Sequence, residues 1–155
     1  MGEVERAERM SIGKLVGAEA IGPKRLELVW DDGRRLPLDL GEVIGAQRRL
    51  AALSKQSEFV RVQVSGDGWS LEWPCGIDFG AAQLRRWAEE QAGELMRAED
   101  FRAWVERYRL TQEGAAQALG LSRRMIGYYL SGEKAIPKTV LLATEGWAAR
   151  ARVPT

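Results

Sequence analysis

The chain has 155 residues, 45% of them hydrophobic and 29% charged, which is the balance of one medium globular domain or of two small ones. No stretch approaches the roughly 18 consecutive apolar residues of a membrane span and no signal-peptide pattern opens the chain, so we expect a cytoplasmic protein without membrane contact. Cys75 is the single cysteine and histidine is absent, which excludes an internal disulfide and leaves a Cys/His zinc site without ligands, so we expect no metal and no cofactor.

Charge is distributed unevenly along the chain. The net charge is only +1, but residues 101–155 hold nine Lys or Arg against four Glu, a net of +5. The first hundred residues hold the other 14 basic and 18 acidic residues, a net of −4. Only the C-terminal part therefore has the electrostatics of a nucleic-acid binder, although surface charge fluctuates in any protein and the bias alone favours DNA only weakly.

In chain order, residues 1–13 are charged and lack a sustained apolar period, which predicts a flexible N-terminus, and Met10 is an alternative start. Polar and apolar residues then alternate as is typical of strands. The predicted elements are a strand at 15–19, a hairpin at 25–30 and 35–40, a helix at 47–53 and a second hairpin at 59–64 and 69–73. Together they predict one small antiparallel sheet with a helix on one face.

A helix at 78–97 is predicted next, because apolar residues recur along one side of it. We interpret this helix as a connector and place the domain boundary between Gln91 and Glu99. The resulting domains are a flexible start at 1–13, a small α+β module with its connecting helix at 14–92, and a second domain at 93–155.

The second domain is predicted to be all-α, with four to five helices. Asp100 is a candidate cap for its first helix, whose apolar residues recur at the 3.6-residue period. Pro137 suits the first position of its last helix, and Gly146 is expected to end that helix.

Residues 112–132, QEGAAQALGLSRRMIGYYLSG, predict two short helices joined by a tight turn. Gly120 supplies the positive φ where the first helix stops, and Ser122 is a good N-cap for the second. Small side chains at Ala116 and Gly120 are expected to let the two helices cross closely. The inner face of the second helix is predicted to carry Met125, Ile126, Tyr129 and Leu130.

The opposite face of this second helix carries the informative residues: Arg123, Arg124, Gly127, Tyr128 and Ser131. Two arginines in the first turn are suited to guanine edges or to phosphates. Tyr128 offers a ring for a thymine methyl or a hydroxyl for a phosphate, or it folds against Tyr129 or Lys134 instead. Cations are unusual at a helix start, where the helix dipole favours anions, and a bound phosphate would suit that place.

The segment resembles the helix-turn-helix of lambda-repressor-like (Xre/Cro type) regulators. The positions that carry the resemblance are Thr111, Gln112, Ala116, Gly120, Ile126 and Gly132. The resemblance implies a phosphate contact for Gln112 and base-edge or groove contacts for Arg123, Arg124 and Tyr128. Two positions depart from the pattern, since Tyr129 stands where many relatives have tryptophan and Gly127 lies inside a helix.

The first half of the chain is similar to a small bacterial module of unassigned function. The resemblance rests on a strand, Asp-Gly turn, strand and helix followed by a W-P-x-G-x-D stretch, here residues 73–78. It implies a fold and no chemistry, and proteins that join this module to a C-terminal repressor-like domain form a known arrangement.

The inventory of reactive groups argues against an enzyme. Without histidine, neither Cys75 nor any serine has the usual base, and no glycine-rich phosphate loop occurs. We expect Cys75 to be a buried or half-buried neutral thiol. The tryptophans are expected in the core rather than in a ligand site.

The sequence therefore predicts a two-domain α+β protein that binds double-stranded DNA as a homodimer and acts as a transcriptional regulator. The candidate DNA-binding residues are Gln112, Arg123, Arg124, Gly127, Tyr128, Ser131, Lys134 and Lys138. The N-terminal module is expected to mediate dimerisation or to bind a protein partner. The alternative is a protein-interaction or antitoxin-like module whose repressor-like fold binds another protein.

Overall fold

The computed structural model describes residues 13–152, which form a mixed α+β structure in two compact units. The first unit ends at Ala88 and the second begins at Glu89. The predicted flexible start, apart from Gly13, and the alternative start at Met10 lie outside the described residues.

A three-stranded antiparallel sheet forms from strands β1 (Leu15–Gly22), β2 (Arg25–Trp30) and β3 (Arg35–Asp39), in that order. Buried residues alternate with more exposed ones along β2 and β3, so one face of the sheet lies on the core. The predicted Asp-Asp-Gly turn joins these strands, and Gly33 adopts φ 85° within it. The first hairpin is thus confirmed.

The rest of the first unit combines short helices with a second three-stranded sheet. Its elements are α1 (Gly41–Ala46), a 3-10 helix (Arg48–Ser54), α2 (Gln56–Phe59), β4 (Gln63–Val64), β5 (Ser70–Glu72), β6 (Asp78–Gly80) and α3 (Ala81–Gln91). The second sheet has the order β4-β5-β6. One apolar core, including Trp30, Phe59, Leu71 and Leu84, gathers the sheets and helices of this unit.

The second predicted hairpin is wrong at its first strand. Phe59 ends helix α2 instead of opening a strand, and only Gln63–Val64 pairs with β5. Phe59 is fully buried beside Trp73, with 5.9 Å between ring centroids, and its carbonyl accepts a hydrogen bond from Trp73 Nε1 at 2.9 Å. This tertiary anchor outweighs the local alternation. The predicted helix at 78–97 is also shorter at both ends, because its first three residues form β6, the helix ends at Gln91, and Leu95–Met96 form a strand.

The described part of the second unit, residues 89–152, contains four helices and a two-stranded ladder. Its elements are β7 (Leu95–Met96), α4 (Ala98–Arg107), α5 (Gln112–Leu119), α6 (Arg123–Ser131), β8 (Ile136–Pro137) and α7 (Lys138–Arg152). A second apolar core, with Phe101, Trp104, Ile126 and Ile136 among its members, holds them together.

The all-α prediction for the second unit is wrong in two details. Ile136 and Pro137 pair with Met96 and Leu95, so proline precedes α7 instead of opening it. Helix α7 continues through Gly146 to Arg152. Trp147 explains the continuation, because its ring packs on Tyr108 at 4.8 Å between centroids, a contact that offsets the helix cost of glycine.

Two single-residue predictions also fail. Helix α4 begins at Ala98 after the cap residue Arg97, which leaves Asp100 inside the first turn, where its charge suits the helix dipole. Cys75 is exposed, because it lies in the turn between β5 and β6 rather than on the core side.

An ion pair ties the β2–β3 turn to helix α3 in the first unit. The Arg85 guanidinium donates to both Asp32 carboxylate oxygens, at 3.2 and 2.9 Å, and lies 5.1 Å from the Trp30 ring centroid. The hydrogen bond from Arg85 holds the pKa of Asp32 below its usual value.

We expect Asp32→Asn to lower the free energy of unfolding by about 1 kcal/mol at neutral pH, since it removes a bidentate pair. Because the pKa of Asp32 is lower in the folded state, the contribution is present above the unfolded pKa of about 3.9 and is lost as pH falls through the folded value. Urea unfolding of both proteins between pH 7 and pH 3 measures this. A stability difference that persists unchanged at pH 3 would contradict the assignment.

Candidate nucleic-acid interface

Helices α5 and α6 are joined by a short turn, and each has a cap at both ends. Thr111 Oγ1 accepts from the Gly114 amide at 2.9 Å and starts α5, and Gly120 ends it with φ 68°. Ser122 Oγ accepts from the Met125 amide at 3.1 Å and starts α6, which ends at Gly132 with φ 79°. The predicted turn and cap are confirmed, and both helices have the ends that short helices need.

Gly120 is needed for its backbone and not for close packing. A Cβ built on Gly120 would meet no atom within 4 Å, whereas its left-handed conformation strains any L side chain. The prediction that its small size allows the helices to cross is therefore wrong for Gly120, and the buried Ala116 is the small residue at this packing.

One face of α6 is fixed in the core of the second unit. Ile126 is fully buried, and Tyr129 packs edge-on against Phe101 with 5.6 Å between ring centroids. Burial raises the pKa of Tyr129. Arg102 of α4 donates to the Leu130 carbonyl at 2.8 Å and so satisfies one of the last carbonyls of α6.

The opposite face of α6 is open and cationic. Arg123 and Arg124 are exposed in the first turn, which contains no acidic residue. The positive end of the helix dipole and both guanidinium groups thus present positive charge at one place.

Tyr128 connects the two ends of this face. Arg124 Nε donates to the Tyr128 hydroxyl at 2.8 Å, and its guanidinium lies 5.6 Å from the ring centroid. Lys134 Nζ lies 4.5 Å from the same ring. Of the two packing alternatives for Tyr128, the one against Lys134 is observed, while Tyr129 turns into the core, and a DNA contact of Tyr128 stays a prediction.

The remaining candidates are dispersed around this cluster. Gly127 lies on the same face, and Ser131 is exposed near the helix end, where its hydroxyl donates to the Tyr128 carbonyl at 3.1 Å. Gln112 is exposed at the first position of α5 and Lys138 at the first position of α7. The structure brings Arg124, Tyr128 and Lys134 together.

Sequence reasoning missed two features of this interface. The Arg124–Tyr128 hydrogen bond follows the i, i+4 spacing and was open to prediction from that spacing. The Arg102 contact joins residues 28 positions apart, so no local pattern signals it.

Within residues 13–152 no group of three or more His, Cys, Asp or Glu side chains is placed to hold a metal ion. No helix in that range is long and apolar enough to cross a membrane.

Residues 15–90 match a family described as proteins of unknown function (DUF2442). This match confirms the prediction of a module without assigned function in the first half of the chain. No protein of curated function matches the chain.

Among solved structures, the chain is similar to protein NE0471 from Nitrosomonas europaea, which is described as a "putative DNA binding protein". The two share 40% sequence identity with a TM-score of 0.53, over 92% of this chain and 90% of that one. The protein therefore belongs to the same family as NE0471.

We expect Gly127→Ala to raise the free energy of unfolding by about 1 kcal/mol, because alanine favours a helix interior and a Cβ at Gly127 would meet no atom within 4 Å. Gly120→Ala is the matched control, since its Cβ space is equally empty but its φ is positive, and it should destabilise instead. Chemical denaturation followed by circular dichroism measures both. A destabilised Gly127→Ala variant would show that the site is less open than described.

Proposed function

We propose that the protein binds double-stranded DNA and acts as a transcriptional regulator of the lambda-repressor-like class, with α6 in the major groove. The observation that carries the proposal is the exposed cationic face of α6, with Arg123 and Arg124 in its first turn and Tyr128 one turn further. The description of NE0471 as a DNA binding protein supports the DNA-binding part of this proposal.

The chemistry of the first turn of α6 favours an anion. Its amide groups carry the positive end of the helix dipole, and no acidic side chain of that turn neutralises them. Arg123 and Arg124 at this end of the helix repel each other and the positive end of the dipole, which raises the free energy of the unbound protein. A phosphate bound between the two arginines relieves this repulsion. The same arginines reach guanine O6 and N7 when the helix enters a major groove.

Tyr128 acts as a positioning residue for Arg124 in this proposal. With Nε engaged by the hydroxyl, the two terminal nitrogens of Arg124 remain as a planar fork that matches the two acceptors of guanine. A side chain held in place before binding loses less conformational entropy when it contacts a base. Lys134, with Nζ 4.5 Å from the centroid of the same ring, supplies a further positive charge for the DNA backbone.

Gln112, Ser131 and Lys138 are proposed as contacts to the sugar-phosphate backbone, and Gly127 as the place where the helix approaches DNA without a side chain between them. A single domain of this size binds a discrete operator weakly. We therefore propose a homodimer on two half-sites about one helical turn apart.

The second candidate is a protein-interaction module. Large exposed apolar side chains favour it for the first unit, where Val16 is 63% and Trp69 is 49% exposed. Lys14 lies 5.4 Å from the Trp69 ring centroid, so a binding surface there would combine an aromatic ring with a cation. Such a surface is compatible with DNA binding by the second unit.

Replacing both Arg123 and Arg124 with Ala should weaken DNA binding at least tenfold at about 0.1 M salt and reduce the slope of log affinity against log salt by about 2. The free energy of unfolding should change by no more than about 0.5 kcal/mol per residue, because both side chains are exposed. Fluorescence anisotropy with duplexes selected from a random pool measures the binding.

The matched control for this experiment is the double variant Arg48→Ala, Arg49→Ala. It removes an adjacent, exposed arginine pair from the start of the 3-10 helix and changes the net charge equally. An equal loss of binding in the two variants would mean that net charge alone determines the affinity. Unchanged binding in the variant without Arg123 and Arg124 would refute the proposed interface.

Tyr128→Phe tests the positioning role separately. The variant keeps the ring beside Lys134 but removes the acceptor for Arg124 Nε, so discrimination at one base pair of the selected site should fall by about fivefold, or roughly 1 kcal/mol. Binding to unrelated duplexes should stay the same. Competition against all single-base variants of the site measures this, and an unaltered preference profile counts against the role of Tyr128.

A further inference from the structure

A groove of about 410 Å³ lies between helices α4 and α7 of the second unit. Its floor is apolar, with Met96, Trp104 and Leu141, and Trp104 Nε1 is buried there without a hydrogen-bond partner among the described residues. Leu142, on α7, is 53% exposed, and it is the one large hydrophobic residue exposed to this degree in the described part of the second unit. It lies one turn before Glu145, which lines the groove.

The two walls of the groove carry the same pattern of side chains. Helix α4 contributes Asp100, Ala103 and Arg107, and α7 contributes Glu145, Ala148 and Arg152. In both helices an acid is followed by alanine after three residues and by arginine after seven. Positions i, i+3 and i+7 share one helix face, so each wall has a negative end, a small centre and a positive end about 10 Å apart.

These charges are not paired within the described chain. Asp100, Glu145 and Arg152 form no ion pair among residues 13–152, and Arg107 lies only against the ring of Tyr108, 5.6 Å from its centroid. The acid and the arginine of one helix are too far apart to neutralise each other. A partner helix that runs antiparallel to a wall and has the same pattern would place its arginine opposite the acid and its acid opposite the arginine.

We infer that this groove is the contact surface of a homodimer, in which a second copy docks about a two-fold axis. An axis perpendicular to α7 near Ala148 reverses the helix direction, so Glu145 of one copy meets Arg152 of the other and the pairing occurs twice. Alanine at the axis allows the two helices to approach closely. The surface is thus complementary to itself. This favours a second copy of the chain as the partner, because binding to an unrelated protein would not require self-complementarity.

This inference rests on the proposed function and assigns the contact of its dimer to the second unit, whereas the sequence predicts that the first unit mediates dimerisation or binds a protein partner. It does not depend on DNA, because the contact is measured on the free protein. Failure of the dimer and failure of DNA binding are therefore separate results.

Charge reversal tests the inference. The variant with Asp100→Lys and Glu145→Lys has only basic walls, and the variant with Arg107→Glu and Arg152→Glu has only acidic walls. Each alone should dissociate at least tenfold more readily than the unmodified protein, because like charges then face each other twice. An equimolar mixture of the two should form a heterodimer with affinity close to that of the original homodimer.

Sedimentation velocity without DNA measures all three samples, and circular dichroism checks that the variants fold. All four replaced side chains are exposed, and recovery in the mixture itself requires folded chains. Arg150→Glu is the control on the same helix, since Arg150 is exposed but does not line the groove, and it should leave the dimer unchanged. A monomeric unmodified protein at 100 µM, dimers that survive either reversal, or a mixture that stays monomeric would each overturn the inference.

Discussion

The candidate nucleic-acid interface depends on one constraint: helix α6 is packed against the core of the second unit through one face only. Ile126 and Tyr129 hold it against Phe101 in the core, and Arg102 holds its last turn through the Leu130 carbonyl. Ser122 and Gly132 fix where it begins and ends. Because the contacts to the core lie on the inner face, the charged face needs no packing of its own and keeps its orientation through the rigidity of the helix.

This division also explains what the outer residues do. Arg124, Tyr128 and Lys134 form a small assembly on the surface, in which one ring lies against two cations. Ring–cation contacts of this kind order long side chains that otherwise sample many rotamers. A charged surface whose side chains are already ordered is suited to recognition, because less conformational entropy is lost when a ligand binds.

Sequence reasoning succeeded where a feature depends on neighbouring residues. The β2–β3 hairpin, the turn at Gly120 and the caps of α6 follow from turn chemistry and periodicity over a few positions. It failed where distant residues decide. Phe59 is helical because Trp73 packs on it, and α7 passes through Gly146 because Trp147 reaches Tyr108. For the site, the sequence predicts Arg124, Tyr128 and Lys134 as candidates, but the contact with Lys134 and the Arg102 brace depend on how the chain folds around α6.

Helix α7 carries residues of both the proposed DNA contact and the inferred dimer contact. Lys138 stands at its first position and Glu145, Ala148 and Arg152 follow in its second half, all within one continuous rod of about 22 Å. If both surfaces are used, the distance between the DNA contact and the symmetry axis is set by a stiff lever rather than by a flexible linker. Such a dimer would tolerate almost no insertion or deletion of base pairs between its half-sites.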